Sequence, residues 1–159
     1  MDIRTATQAD LPSILKLVNT AFQVERFFKK QDRLDAEDLE KHFTSGTFLL
    51  TEDAGTITGC IYVTRHGDRA YFGLLAIAPS HQKMGIGSRL VAAAEEFARE
   101  TGARFMDIRI INLREELPGI YSKLGYRITG MAPYHAEREH MLSQPVHFIC
   151  MSKELGHRP

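Results

Sequence analysis

The six residues Gln82-Lys83-Met84-Gly85-Ile86-Gly87 combine the features that let a main chain hold an anion. Gly85 and Gly87 allow the backbone to approach a ligand with no Cβ in the way. Leu90, Val91, Ala94, Phe97 and Ala98 follow at the spacing of one helical face, so the turn opens a helix. The first amides of a helix have no intrahelical partner, and the helix dipole favours negative charge beside them. Upstream, the apolar run Leu74 to Ala78 is closed by Pro79 and reads as a strand. Strand, glycine turn and helix in that order make a cradle suited to a pyrophosphate. No Gly-Lys-Ser/Thr follows, which excludes a nucleoside-triphosphate loop. Leu90 stands where a dinucleotide fingerprint has its third glycine.

The other residues with chemistry to offer are scattered. Tyr121 carries a hydroxyl on a helical face with Leu117, Ile120 and Leu124, and Asn112 ends a strand-like run. Carboxylates that would serve as a base are Glu25, Asp107, Glu115 and Glu116; the strand before the glycine turn, Ala70 to Ile77, has none. His135 and His140 do not have the spacing of a metal pair, and no metal is expected. Cys60 and Cys150 fall in strand-like runs without ligand spacing, as buried reduced thiols do.

The elements that must position these groups follow in chain order. Ile3 to Thr5 is a short strand. Thr7-Gln8-Ala9-Asp10 is a variant capping box before a helix carrying Leu11, Ile14, Leu15, Val18, Ala21 and Phe22. Asp35 caps a second helix that stops at Ser45-Gly46. Strands follow at Thr47 to Glu52, Thr56 to Arg65 and Ala70 to Ala78, separated by turns at Asp53-Ala54-Gly55 and His66-Gly67-Asp68. In the second of these, Ile57, Gly59, Ile61 and Val63 are expected on one face. After the third helix, Arg104 to Asn112 alternates Met106, Ile108 and Ile110 against Asp107 and Arg109. A fourth helix over Leu117 to Leu124 and strands at Tyr126 to Gly130 and Val146 to Lys153 complete the pattern. Hairpin turns make the meander antiparallel, and the helical crossover makes Ala70–Ala78 and Arg104–Asn112 parallel. The expected fold is α/β (α+β), a single domain over residues 1–159. Its mixed sheet has about six to seven strands flanked by four helices.

Composition narrows the function. Of 159 residues, 43% are hydrophobic and 25% charged, with 20 basic and 20 acidic side chains balancing to zero. That balance argues against nucleic acid and against a polybasic membrane surface. No apolar run reaches membrane-spanning length, and Asp2 and Arg4 do not suit a secretion signal, so a cytoplasmic protein is expected.

The turn at Gln82, Gly85 and Gly87 matches the Q/R-x-x-G-x-G/A signature of the GNAT superfamily of N-acetyltransferases. The segment Asn112…Tyr121-Ser122-Lys123-Leu124-Gly125-Tyr126 resembles the family's N…Y-x-x-x-G-F/Y element, although Tyr121 follows Asn112 by nine positions, two more than is usual. The element order resembles the GNAT fold over residues 2 to 155. This resemblance implies transfer of an acetyl group from acetyl-CoA to a primary amine, directly within a ternary complex. It implies that Leu75, Ala76 and Ile77 bind pantetheine and that Gln82, Lys83, Met84, Gly85, Ile86, Gly87 and Ser88 take the pyrophosphate. Asn112 would hold the pantetheine arm, and Tyr121 would protonate the leaving thiolate. Gln23–Leu34 and the hairpin Met131 to Gln144 would border the acceptor, a small molecule or a peptide amine. Homodimers are frequent in the family. An alternative on the same fold is a non-catalytic acyl-CoA sensor, for which the missing carboxylate on Ala70–Ile77 speaks.

Overall fold

Side-chain carboxylates fix the turns that lead into the first two helices. Asp10 Oδ2 accepts from the Thr7 amide at 2.7 Å, and Asp35 Oδ1 accepts from the Asp38 amide at 2.8 Å. In the computed structural model, which describes residues 2–23, 34–134 and 146–156, these caps precede α1 (Leu11–Ala21) and α2 (Ala36–Ser45), with β1 (Ile3–Thr5) ahead of both. Three strands follow, β2 (Thr47–Asp53), β3 (Thr56–His66) and β4 (Arg69–Ile77), and then α3 (Ile86–Glu100). The chain continues through β5 (Phe105–Ile111), α4 (Leu117–Lys123), β6 (Arg127–Pro133) and β7 (His147–Glu154).

The seven strands form one sheet in the order β1-β2-β3-β4-β5-β7-β6. Pairing is antiparallel from β1 to β4, parallel between β4 and β5, and antiparallel again where β7 lies between β5 and β6. Both faces are covered over the middle strands. On one face Leu90, Val91 and Ala94 of α3 pack with Ile61, Val63, Phe72, Met106 and Ile108. On the other, Ile14 and Val18 of α1 and Leu39 of α2 pack with Leu50, Cys60 and Tyr62.

Two irregularities decide which side chains face which layer. Thr51 pairs with Gly59 while Glu52 pairs with Ile57, leaving Thr58 as an extra residue in β3. A bulge of this kind reverses the alternation beyond it. Ile57 therefore packs on the α1 side, opposite Ile61 and Val63, contrary to the expectation from simple alternation. The buried hydroxyls of Thr51 and Thr58 bond each other at 3.0 Å. The second irregularity lies in β4 and builds the site.

Candidate active site

Between Cys60↔Ala76 and Tyr62↔Gly73, β4 sets two residues, Leu74 and Leu75, against Ile61 alone. Leu74 adopts φ 51°, a left-handed conformation that costs energy for a side chain of this size, and it is held by burial at 6% exposure. The Cys60 thiol donates to the Leu74 carbonyl at 3.4 Å. A bulge bends and twists its strand. Correspondingly, β4 pairs with β5 from Arg69↔Phe105 to Tyr71↔Asp107 and then leaves it, while β5 stays paired with β7 through Ile111. The parted strands enclose a cavity of about 420 Å³ whose walls include Leu75, Ala76 and Ile77 on one side and Ile108 and Ile110 on the other. On this stretch the β4 groups turned toward β5 have no ladder partner, as backbone contacts to an extended ligand require.

A second cavity, of about 390 Å³, opens over the glycine turn and is lined by Gln82, Lys83, Gly85, Ile86, Gly87 and Ser88. Lys83 (φ 65°) and Gly85 (φ 79°) are both left-handed. Turns of this conformation gather N–H groups into an anion-binding concavity. The first α3 bond runs from the Arg89 amide to the Gly85 carbonyl, so the amides before it are available to a ligand. Gly87 is informative because the protein gives it no reason to be glycine. It is the second residue of α3, where alanine would serve the helix at least as well. A Cβ built there meets no protein atom within 4 Å. What glycine leaves is open space over the turn. The residues present therefore fit the pyrophosphate of acetyl-CoA. Gln82 Nε2 reaches back to the Ile77 carbonyl at 3.4 Å, linking the turn to the parted strand. Met84 does not line the cavity; its side chain is 60% exposed.

Tyr121 lines both cavities, together with Leu75, Ile77 and Gln82, and so marks where they meet. It is buried on α4 with its ring 5.9 Å from Phe72 and 6.0 Å from Tyr126. Gly125 (φ 98°) ends the helix, and the Tyr126 amide returns to the Tyr121 carbonyl at 3.0 Å. Desolvation pushes the Tyr121 hydroxyl up to about 12; Arg114 opposes that rise and Tyr71 adds to it. The hydroxyl is thus protonated at neutral pH, the state a general acid needs.

Asn112 is placed elsewhere. Its Oδ1 accepts from the His147 amide at 2.9 Å, its own amide donates to the His147 carbonyl at 3.0 Å, and it lines neither cavity. The residue seven positions before Tyr121, the usual family spacing, is Arg114, which does line the strand cavity. Its guanidinium is paired with Glu116 at 3.1 Å and is 19% exposed. Its signal in the sequence is the distance back from Tyr121 rather than forward from the strand end.

The base candidates fare unevenly. Both Asp107 oxygens accept from Arg69, at 2.6 and 2.8 Å, and Ser152 also donates to Oδ1. The Arg69 bonds, above all, hold the carboxyl below its usual range, which weakens it as a base. Glu116 is engaged with Arg114, Glu115 is exposed, and Glu25 lies outside the described residues. So do residues 24–33 and 135–145, which contain most of the expected acceptor border and both His135 and His140. Among the described residues no group of three His, Cys, Asp or Glu side chains could hold a metal ion. No described helix is long and apolar enough to cross a membrane.

A mixed sheet parted between two parallel strands, with a glycine turn and helix joining them, defines an N-acetyltransferase fold. The chain belongs to the acetyltransferase (GNAT) family, whose sequence pattern matches residues 11–126, and it is an acyltransferase. It is 24% identical over 153 residues to the uncharacterized protein YyaT of Bacillus subtilis, covering 96% of this chain and 95% of that one. It is 25% identical over 145 residues to the L-amino acid N-acyltransferase MnaT of Escherichia coli, covering 84% and 83%. Among solved structures, an aminoglycoside 6'-N-acetyltransferase complexed with coenzyme A superposes with a TM-score of 0.78 at 20% identity, covering 100% of this chain and 99% of that one.

Proposed function

We propose that this protein transfers the acetyl group of acetyl-CoA to a primary amine, directly and within a ternary complex. The observation that carries the reading is the meeting of two cavities at Tyr121, one over the glycine turn and one between the parted strands. The amides from Lys83 to Ser88 take the pyrophosphate, and Leu75, Ala76 and Ile77 offer backbone groups to the pantetheine arm. A β4 amide supports negative charge on the thioester oxygen. The amine enters from the α1 side of the gap. Its nitrogen forms the new C–N bond as the C–S bond breaks, and Tyr121 gives its proton to the departing sulfur. The proton lost by the amine leaves to solvent, from which Tyr121 recovers one, so the net products are the amide and the free thiol. The relatives' names span amino acids and aminoglycosides and do not choose between them.

Calorimetric titration with acetyl-CoA, followed by thiol release against a pooled amine library, tests the reading. Binding with amine-dependent release supports it. Binding without release from any amine would favour an acyl-CoA sensor, and no binding would overturn the cradle. Gly87→Trp should abolish acetyl-CoA binding while leaving the unfolding transition near that of the parent, because no protein atom opposes the new Cβ. Unchanged affinity in that variant would remove the pyrophosphate assignment.

A further inference from the structure

The charges around the strand cavity are one-sided. Among the described residues lining it, Arg109 and Arg114 are the side chains ionised at neutral pH, and no carboxylate joins them. Arg114 stands on the Tyr121 side and is paired with Glu116. Arg109 stands on the opposite face of the sheet, as the alternation of β5 requires: Ile108 and Ile110 pack beneath α3, so Asp107 and Arg109 face away from it. There Arg109 lies 5.9 Å from the centre of the Phe148 ring, beside Tyr71 at the mouth of the gap. Asp107 shares this face, but its oxygens are held by Arg69 and Ser152. No described carboxylate comes within ion-pair distance of Arg109. A guanidinium at a cavity mouth, within cation–π range of an aromatic ring, is a planar fork for an anion.

We propose that the acceptor is an amine that carries its own carboxylate, of the amino-acid class, and that Arg109 pairs with that carboxylate. This rests on the acetyltransferase reading above and adds the substrate class. An acceptor with several ammonium groups would meet Arg109 and Arg114, and the described carboxylates nearest to them, Asp107 and Glu116, are already engaged by Arg69 and Arg114. An amino acid meets Arg109 with its negative end. The aromatic rings of Tyr71 and Phe148 at the mouth suit an acceptor with an apolar side chain.

The test compares phenylalanine, phenylalaninamide, phenethylamine, 1-amino-2-phenylethylphosphonate and tobramycin as acceptors at saturating acetyl-CoA, by thiol release. Phenylalanine is expected to exceed its amide and phenethylamine in kcat/KM by about tenfold to a hundredfold, the worth of a charge-assisted hydrogen bond. Tobramycin is expected to be a poor acceptor. In Arg109→Gln that preference should collapse to within about twofold while the KM for acetyl-CoA stays unchanged, and Arg109→Lys should restore part of it. A phosphonate that outperforms the carboxylate would overturn the amino-acid assignment. An amide or a polyamine that matches or exceeds phenylalanine, or a preference that survives Arg109→Gln, would overturn the role of Arg109. Both results leave acetyl transfer intact. Absence of acetyl-CoA binding would instead fell the functional reading, and this proposal with it.

Discussion

An acid that protonates a leaving thiolate must keep its own proton until the C–S bond breaks. For Tyr121, the proposed acid, burial would secure this, since desolvation raises its hydroxyl to about 12. A thiol in the same pocket is raised by the same desolvation, so the two groups are matched by their shared surroundings rather than by their values in water. Tyr121→Phe should therefore lower kcat by about a hundredfold or more and move the KM for acetyl-CoA less than about twofold. An equal loss of cofactor affinity would mark the residue as a packing group. The pH dependence has a definite sign. A raised folded-state value keeps the protonated form dominant up to about 12, so the parent enzyme should show no alkaline fall in kcat near 10 that disappears in the phenylalanine variant. The position of Tyr121 at the cavities is legible from its spacing to Gly125 and Tyr126. That of Arg114 is not, because an asparagine at the end of a strand-like run is the more conspicuous polar residue.

Element boundaries follow closely from turn chemistry, since Gly55, Gly67 and Gly125 supply the positive φ that each reversal uses. The bulges are a different matter. Alternation in β3 and β4 continues on both sides of Thr58 and Leu74, and both faces are apolar, so a slip of one residue leaves no mark in the pattern. The opening between β4 and β5 is accordingly not written in the hydrophobic pattern. Beneath the site, a buried polar cluster joins α3 to β7 and to Tyr126 in the turn after α4. Glu95, 5% exposed, accepts from the Tyr126 hydroxyl at 2.8 Å and from Lys153 at 2.9 Å. Tyr126→Phe removes one of these bonds from a buried charge, and urea unfolding should show a loss of about 1.5–3 kcal/mol. Acetyl-CoA affinity should change little, because Tyr126 lines neither cavity. A stability unchanged within error would mean that water replaces the lost donor.

At the scale of the whole molecule, the sheet must be held shut at one end of β4 and β5 to stay parted at the other. Arg69 provides the fastening. From the start of β4 it bonds both oxygens of Asp107 on β5 and the Ser152 hydroxyl on β7, and its guanidinium lies 4.6 Å from the centre of the Phe105 ring. The cluster sits where the β4–β5 pairing ends, at Tyr71↔Asp107. At neutral pH, Arg69→Gln should cost no more than about 1 kcal/mol, since the Arg69 side chain is 47% exposed and solvent screens the pair. The pH dependence of that cost is more telling. The Asp107 carboxyl is lowered in the folded state, chiefly by its bonds to Arg69. Its contribution is therefore fully present above the ordinary carboxylate value of about 3.9 and is lost as the pH falls through the lower folded value. The stability difference between the parent and Arg69→Gln, followed by urea denaturation at decreasing pH, should shrink below about 4. A difference that stays constant through that range would show that Arg69 stabilises the sheet through its contact with Phe105 instead of through charge. If the fastening also sets the width of the gap, Arg69→Gln should raise the KM for the acceptor more than that for acetyl-CoA, since the loosened end lies on the acceptor face beside Tyr71 and Arg109.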